Sequence, residues 1–138
     1  LDVNLMGAYW MAQSFARGNK DGGVIVNISS ILGLKPQGLP QAAYASSKAG
    51  LIGLTRDLAA QWTGRKKIRV NALAPGFFPS EMSDELPKEM VEMLKMFAPA
   101  GRLGDPEELA ATLIWLVSDA SSYVTGITVP VDGGLVMP

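Results

Sequence analysis

The sequence contains no cysteine and no histidine among its 138 residues. Without cysteine there is no disulfide framework and no thiolate nucleophile. Without histidine the chain lacks the commonest general base and the commonest metal ligand. We therefore predict no metal site, and any acid–base chemistry has to use Tyr, Lys, Asp or Glu.

Excess charge and long apolar runs are also absent. The chain has 12 Lys and Arg against 13 Asp and Glu, so it has no bulk charge for binding nucleic acid. No apolar run approaches the roughly 18 residues that could span a bilayer, and no signal peptide is visible. We predict a cytoplasmic protein without nucleic-acid or membrane partners. The length and the 48% apolar content predict a single domain over residues 1–138.

Helical and strand patterns alternate along the chain. Helices are predicted over residues 2–17, 41–63 and 86–97 and from Asp105 to about 119, and strands over 24–29, 68–74 and 125–131. Such an order predicts an α/β fold, an open parallel sheet with flanking helices. The first strand is nearly continuous in β-branched residues, which predicts burial on both of its faces.

Three local patterns add detail to these elements. The apolar stripe of the central helix consists of Leu51, Leu54, Leu58 and Trp62. The run Asp105-Pro106-Glu107-Glu108 predicts a capped helix start. Residues 31–40 are predicted to form a loop, and the four Met between positions 82 and 96 suit a core and an adaptable ligand surface equally well.

The beginning of the chain is unusual. It opens on Leu1 without an initiator methionine, and helical spacing is already present in the first residues. Three strands are few for a parallel sheet, and the first strand would have an exposed edge. We expect the chain to be the later part of a longer protein.

Tyr44 and Lys48 stand four residues apart at the start of the central helix. At that spacing both side chains lie on one helix face. A nearby positive charge favours the ionised form of a phenol, so the pair could act as a proton donor and acceptor. An ordinary helix with a half-buried tyrosine and a surface lysine is the alternative.

The surroundings of the pair favour the chemical interpretation. Ligands bind outside the carboxyl ends of strands in open α/β sheets. Ser30 ends the first strand, Tyr44 and Lys48 begin the following helix, and Pro75-Gly76 ends the second strand. Such a set could polarise a carbonyl group, but the hydride would have to come from a cofactor.

These residues occur within ordered motifs that resemble the short-chain dehydrogenase/reductase (SDR) family over nearly all of the chain. The matching motifs are Val3-Asn4-Leu5, Ile28-Ser29-Ser30 with Gly33, Tyr44 and Lys48 followed by Ala49-Gly50, Ile68-Arg69-Val70-Asn71 leading to Pro75-Gly76, Gly101-Arg102 with Asp105-Pro106-Glu107-Glu108, and Val131-Asp132-Gly133-Gly134. The resemblance implies the later half of a Rossmann-like open parallel sheet, without the N-terminal dinucleotide-binding half.

The resemblance also implies a function. The protein would be an oxidoreductase that moves a hydride between NAD or NADP and an alcohol or ketone. Tyr44 would be the general acid/base, Lys48 would stabilise its phenolate and bind the nicotinamide ribose, Ser30 would orient the substrate, and Asn4 would hold a water of a proton relay. Asn4 is alternatively a helix cap.

Further implied positions concern ligand contacts and assembly. Cofactor contacts would come from Tyr44, Lys48, Pro75, Gly76, Phe78 and Ser80, and substrate contacts from Ser30, Gln41 and Phe77. Residues 77–104 would form the lid of the substrate site. The family resemblance further implies a homotetramer or homodimer.

One departure from the family pattern limits these expectations. Neither Gly-x-x-x-Gly-x-Gly nor Gly-x-Gly-x-x-Gly, the turns that bind a dinucleotide's pyrophosphate, occurs in the chain. We therefore expect little or no dehydrogenase activity from the isolated 138 residues. The alternative function is a catalytically inactive fragment of this fold, or a binding or oligomer-forming subunit. A hydrolase is disfavoured because no nucleophile–base pair and no Gly-x-Ser-x-Gly motif is present.

Overall fold

A computed structural model describes residues 2–38, 40–79 and 87–137. In chain order the elements are a π-helical turn Asp2–Met6, helix α1 Gly7–Gly18, strand β1 Gly23–Ile28, a 3₁₀ turn Ile31–Gly33, helix α2 Ala42–Lys66, strand β2 Ile68–Pro75, helix α3 Lys88–Phe97, helix α4 Pro106–Val117, a 3₁₀ turn Asp119–Ser121 and strand β3 Thr128–Val131. The predicted alternation of helices and strands is confirmed.

The three strands form one parallel sheet in the order β1-β2-β3. β1 pairs with β2 from Gly23 opposite Ile68 to Ile28 opposite Leu73. β2 pairs with β3 through its last four residues, where Pro75 lies opposite Val131. The carboxyl ends of the strands therefore meet at one edge of the sheet, as the predicted α/β fold requires.

The main core lies between β2 and the two helices α1 and α2. Its buried members are Ala12 and Ala16 of α1, Leu58, Ala59 and Trp62 of α2, and Ile68 and Val70 of β2, with Ile25 and Leu54 packed against them. The apolar stripe predicted for the central helix therefore does face the core. Helix α4 contacts the strands as well, and Arg69 of β2 reaches its carboxyl end.

The prediction that the first strand is buried on both faces is wrong. β1 is an edge strand of the sheet, and along it only Asn27 is buried, while Ile28 is 46% exposed. β2 lies in the middle and has six of its eight residues buried. A β-branched run indicates a strand, but the elements that pack on its two faces decide how much of it is covered.

Several boundaries also differ from the predicted ones. The α-helical part of the first helix begins at Gly7, after five π-helical residues. The central helix continues to Lys66 and is closed by Lys67 in a left-handed conformation with φ of 57°. The predicted loop after β1 contains the 3₁₀ turn Ile31–Gly33, in which Ile31 is buried.

Helix α3 has no buried residue. Met90, Met93 and Met96 are exposed, so these three methionines form a surface and not a core, while Met82 lies outside the described residues. Among the helices in the described ranges, none combines the length and the apolar content needed to cross a bilayer.

Candidate active site

Ser30 lies directly after β1, at the carboxyl edge of the sheet. It is 7% exposed, and its Oγ accepts the backbone N–H of Leu32 at 3.2 Å. Because this bond uses a lone pair of the hydroxyl, the hydroxyl hydrogen stays available to donate to a ligand. The 3₁₀ turn that Ser30 caps thus holds a donor at the predicted position.

The structure brings Tyr44 and Lys48 together at the start of α2. The Nζ atom of Lys48 lies 5.4 Å from the centroid of the Tyr44 ring, within the range of a cation–π contact. Nζ also donates to the carbonyl of Ile28 at 3.0 Å. Tyr44 is 39% exposed, so a ligand at the sheet edge can reach the phenol. The predicted common face of the pair is therefore observed.

Pro75 explains why the sheet opens next to these residues. The backbone N–H of Ser29 donates to the carbonyl of Leu73 at 2.7 Å. The next donor toward β1 would be residue 75, because alternate residues of a strand face the same neighbour, and proline has no N–H. Gly76 instead donates to Val131 of β3 at 2.9 Å. Pairing of β1 with β2 therefore stops at the level of the candidate site.

Asn4 lies in the π-helical turn Asp2–Met6 and is exposed. This turn packs on α2, because a methyl group at Gly50 would lie only 2.8 Å from Leu5 Cδ2. Single π-helical turns are rare in proteins, and those that occur are often found at functional sites. The turn next to α2 suits the predicted relay, and the water held by Asn4 stays a prediction.

The predicted ligand contacts Phe77 and Phe78 line a cavity whose lining does not include Ser30, Tyr44 or Lys48. This cavity has a volume of about 90 Å³, and Leu94 of α3 and residues after β3 line it as well. The Phe77 carbonyl accepts the N–H of Gly104 at 2.9 Å. Ser80 lies outside the described residues.

Gln41 directly precedes α2 and is exposed, and its carbonyl accepts the N–H of Ala45 at 2.7 Å. This main-chain bond belongs to the first turn of α2. The Gln41 side chain makes no capping hydrogen bond, so it is available to contact a substrate. Within residues 2–38, 40–79 and 87–137 there is no group of three or more acidic side chains that could hold a metal ion.

A family model described as enoyl-(acyl carrier protein) reductase matches residues 1–136. The chain belongs to the short-chain dehydrogenase/reductase family. It is 44% identical over 140 residues to a 3-oxoacyl-(acyl-carrier-protein) reductase of Thermotoga maritima, covering 99% of this chain and 56% of that protein. It is also 44% identical over 138 residues to a human (3R)-3-hydroxyacyl-CoA dehydrogenase, covering 98% of this chain and 52% of that protein.

Among solved structures, a gluconate 5-dehydrogenase from Burkholderia cenocepacia in complex with NADP and tartrate superposes with a TM-score of 0.87 at 38% sequence identity. The match covers 96% of this chain and 53% of that one. The chain thus spans about half the length of the SDR relatives that it matches.

Arg102 and Glu108 form an exposed ion pair at the start of α4 in this SDR chain. The two guanidinium nitrogens lie 2.7 and 3.0 Å from the two carboxylate oxygens, and Glu108 also accepts the Asp105 N–H at 2.9 Å. The hydrogen bond from Arg102, and then the one from Asp105, lower the pKa of Glu108 to about 2. The hydrogen bond to Glu108 raises the pKa of Arg102. The predicted capped start at Asp105 is confirmed.

The Glu108 carboxylate predicts a pH dependence of stability. Its pKa is lowered on folding, so its contribution is complete above the ordinary value of 4.5 and disappears as the pH falls toward about 2. Glu108→Gln keeps an acceptor for Asp105 but removes the charge. We expect the variant to melt below the wild type near neutral pH, and the gap to close toward pH 2 in thermal unfolding scans. A gap that stays constant over this range would contradict the assignment.

Gly33 sets the distance between the strand end and Lys48. A methyl group at Gly33 would lie 2.8 Å from the carbonyl carbon of Lys48 and 2.9 Å from the nitrogen of Ala49. We expect Gly33→Ala to destabilise the protein by about 1–3 kcal/mol, since two backbones would have to separate. Gly53→Ala is the matched control: nothing lies within 4 Å of that site, and alanine in a helix is more stable than glycine. Denaturant unfolding should show opposite signs for the two variants.

Two polar residues that matter in the structure, Ser29 and Arg69, lie within the matching motifs, but the sequence assigns neither of them a role. Ser29 donates to the Lys48 carbonyl at 2.8 Å, and Arg69 donates to four acceptors in the last turn of α4 and in the segment that follows it. A charged residue inside an apolar strand is the one sequence signal for Arg69. The hydrogen bond of Ser29 has no sequence signal, because its partner Lys48 lies 19 residues away.

Proposed function

We propose that the protein containing this chain is an NAD(P)-dependent oxidoreductase that interconverts an alcohol and a ketone, with Tyr44 as the general acid/base. The observation that carries the proposal is the pairing of Lys48 with Tyr44, 5.4 Å from ammonium to ring centroid, beside the strand end that bears Ser30. Membership of the SDR family supports the same reaction class.

The proton chemistry follows from the residue types. When a ketone is reduced, negative charge develops on its oxygen, and the Tyr44 hydroxyl donates a proton there. The Ser30 hydroxyl donates a hydrogen bond to the same oxygen and orients it. The Lys48 ammonium stabilises the phenolate that remains, and a water held by Asn4 returns the proton. Alcohol oxidation uses the same groups in reverse.

The donor set at the sheet edge fits the nicotinamide end of the cofactor. Lys48 has three N–H donors and uses one for Ile28, which leaves two for ribose hydroxyls. The other proposed cofactor contacts are Tyr44, Pro75, Gly76, Phe78 and Ser80. The bound NADP of the gluconate 5-dehydrogenase relative supports a nicotinamide nucleotide. When bound, this cofactor supplies or accepts the hydride.

The substrate is proposed as a small alcohol or carbonyl compound bound by Ser30, Gln41 and Phe77, with residues 77–104 as the lid. The exposed methionines of α3 support an adaptable apolar surface in that segment. Two relatives are named for 3-oxoacyl and 3-hydroxyacyl thioesters, which makes these compounds the first to test. A homodimer or homotetramer and a cytoplasmic location remain predictions.

The test is a turnover assay of the whole protein that contains this chain, with NADPH and with NADH, following the absorbance of the reduced nicotinamide. Acetoacetyl-CoA serves as the ketone and gluconate, with the oxidised cofactors, as the alcohol. Cofactor consumption that depends on one of these substrates supports the proposal. Tight binding of NADP or NAD without turnover of any alcohol or ketone in a wider panel would favour the catalytically inactive alternative.

A further inference from the structure

We propose that Ser29 is a positioning residue that fixes Lys48 relative to Ser30. The expected effect on kcat and KM rests on the proposed function, whereas the expected effect on the position of Lys48 does not. Ser29 belongs to the motif at the end of β1, but Ser30 is the residue to which a chemical role is given there. The contacts of Ser29 point to a separate task.

Ser29 connects three elements of the fold. It is 2% exposed and directly follows β1, and its backbone N–H donates to the carbonyl of Leu73 in β2 at 2.7 Å. Its hydroxyl donates to the Lys48 carbonyl in α2 at 2.8 Å. In an α-helix this carbonyl already accepts the N–H four residues later, so the helix does not need the bond from Ser29. The bond instead ties α2 to the strand end at Lys48.

Three consecutive residues at the end of β1, Ile28, Ser29 and Ser30, each contribute one group to the site. The Ile28 carbonyl accepts from the Lys48 ammonium at 3.0 Å, and the Ser29 hydroxyl holds the Lys48 main chain at 2.8 Å. Ser30 carries the hydroxyl that orients the substrate. The end of β1 therefore holds both the main chain and the ammonium of Lys48, and it sets the distance between Lys48 and Ser30.

The anchoring is needed because a lysine ammonium sits on a flexible four-carbon stem. The position of the Lys48 backbone therefore determines which groups its ammonium can reach. Gly33, whose missing side chain lets the 3₁₀ turn touch the backbone of Lys48, supports the same arrangement from the next turn. A displacement of ~1 Å in a catalytic group can cost about 10²-fold in rate, so a single lost bond at this point has a measurable effect.

The experiment compares Ser29→Ala, Ser29→Thr and Ser121→Ala in the protein. Ser121 is a matched control because it is 1% exposed and donates to a main-chain carbonyl, that of Trp115, at 2.7 Å. We expect Ser29→Ala to lower kcat about tenfold and to raise KM for the cofactor about tenfold while KM for the ketone stays within twofold, because Lys48 serves the phenolate and the ribose. Ser29→Thr should restore both constants, and Ser121→Ala should lower Tm without changing either.

Crystal structures of the Ser29→Ala variant complete the test. We expect the Nζ atom of Lys48 to leave the Ile28 carbonyl in that variant. Wild-type kinetic constants in Ser29→Ala, or the same split of constants in Ser121→Ala, would overturn the proposal. If the wild type shows no turnover, the proposed function fails, and Ser29 is judged by the structure alone: an unmoved Lys48 refutes the positioning role.

Discussion

Replacement of Tyr44 by phenylalanine is expected to lower turnover by about 10²–10⁴-fold, the usual contribution of a positioned acid or base. The ring and its contact with the Lys48 ammonium, 5.4 Å from the ring centroid, remain, while the hydroxyl, the only group of this side chain that can exchange a proton, is removed. The residue is 39% exposed, so the lost hydroxyl leaves no cavity in the core. The measurement is kcat with saturating cofactor, together with a thermal unfolding scan that should stay within a few degrees of the wild type.

Tyr9→Phe is the matched control for this prediction. Tyr9 is 38% exposed and lies on α1, so the same hydroxyl is removed from a similarly accessible tyrosine outside the site. We expect wild-type turnover from this control. Unchanged turnover in Tyr44→Phe would remove Tyr44 from the mechanism, and an equal loss in both variants would point to a general effect of removing hydroxyl groups.

The largest expected effect on stability comes from Arg69. Its Nη1 donates to Ser121 Oγ at 3.2 Å and to the Val124 carbonyl at 3.0 Å. Its Nη2 donates to the carbonyls of Leu116 and Ser118 at 3.2 and 3.1 Å. One guanidinium thus donates hydrogen bonds to carbonyls at the carboxyl end of α4. The helix dipole also favours a positive charge at that end.

Arg69→Met should lower the free energy of unfolding by on the order of 3 kcal/mol, because it removes four hydrogen bonds from a charged donor, each worth about 1.5–3 kcal/mol, while the carbonyls of Val124, Leu116 and Ser118 keep a second donor. Urea unfolding measures the loss. Arg69→Lys should recover only part of it, since one ammonium cannot reproduce the planar fork of donors. Arg56→Met, a change at an exposed arginine of α2, should stay within about 0.5 kcal/mol. A similar loss at both sites would contradict the role of Arg69.

Local patterns account for the features that could be predicted from the sequence. The spacing of Tyr44 and Lys48 sets their common face, because the helical repeat depends only on neighbours in the chain. The same holds for the cap at Asp105, whose partners are two and three residues away. Leu51 and Trp62 were predicted to face the core on the same principle, and both are buried.

Features that depend on distant partners could not be predicted in this way. The burial of β1 was overestimated because its composition does not tell which elements cover its two faces. The partners of Arg69 lie 47–55 residues away, and their positions follow from the path of the chain around α4. The methionines of α3 suited a core and a surface equally, and their exposure depends on what packs against the helix.

The sequence alone determined the elements, their alternation and the residue types available for chemistry, since the absence of histidine and cysteine leaves Tyr, Lys, Asp and Glu for acid–base steps. Only the tertiary structure decided how these residues are held. It placed the carbonyl of Ile28 on the Lys48 ammonium, the hydroxyl of Ser29 on the Lys48 main chain, and the end of the β1–β2 ladder at Pro75. The physical reason is that helical and strand periodicities act over a few residues, whereas these contacts join segments that meet only when the sheet forms.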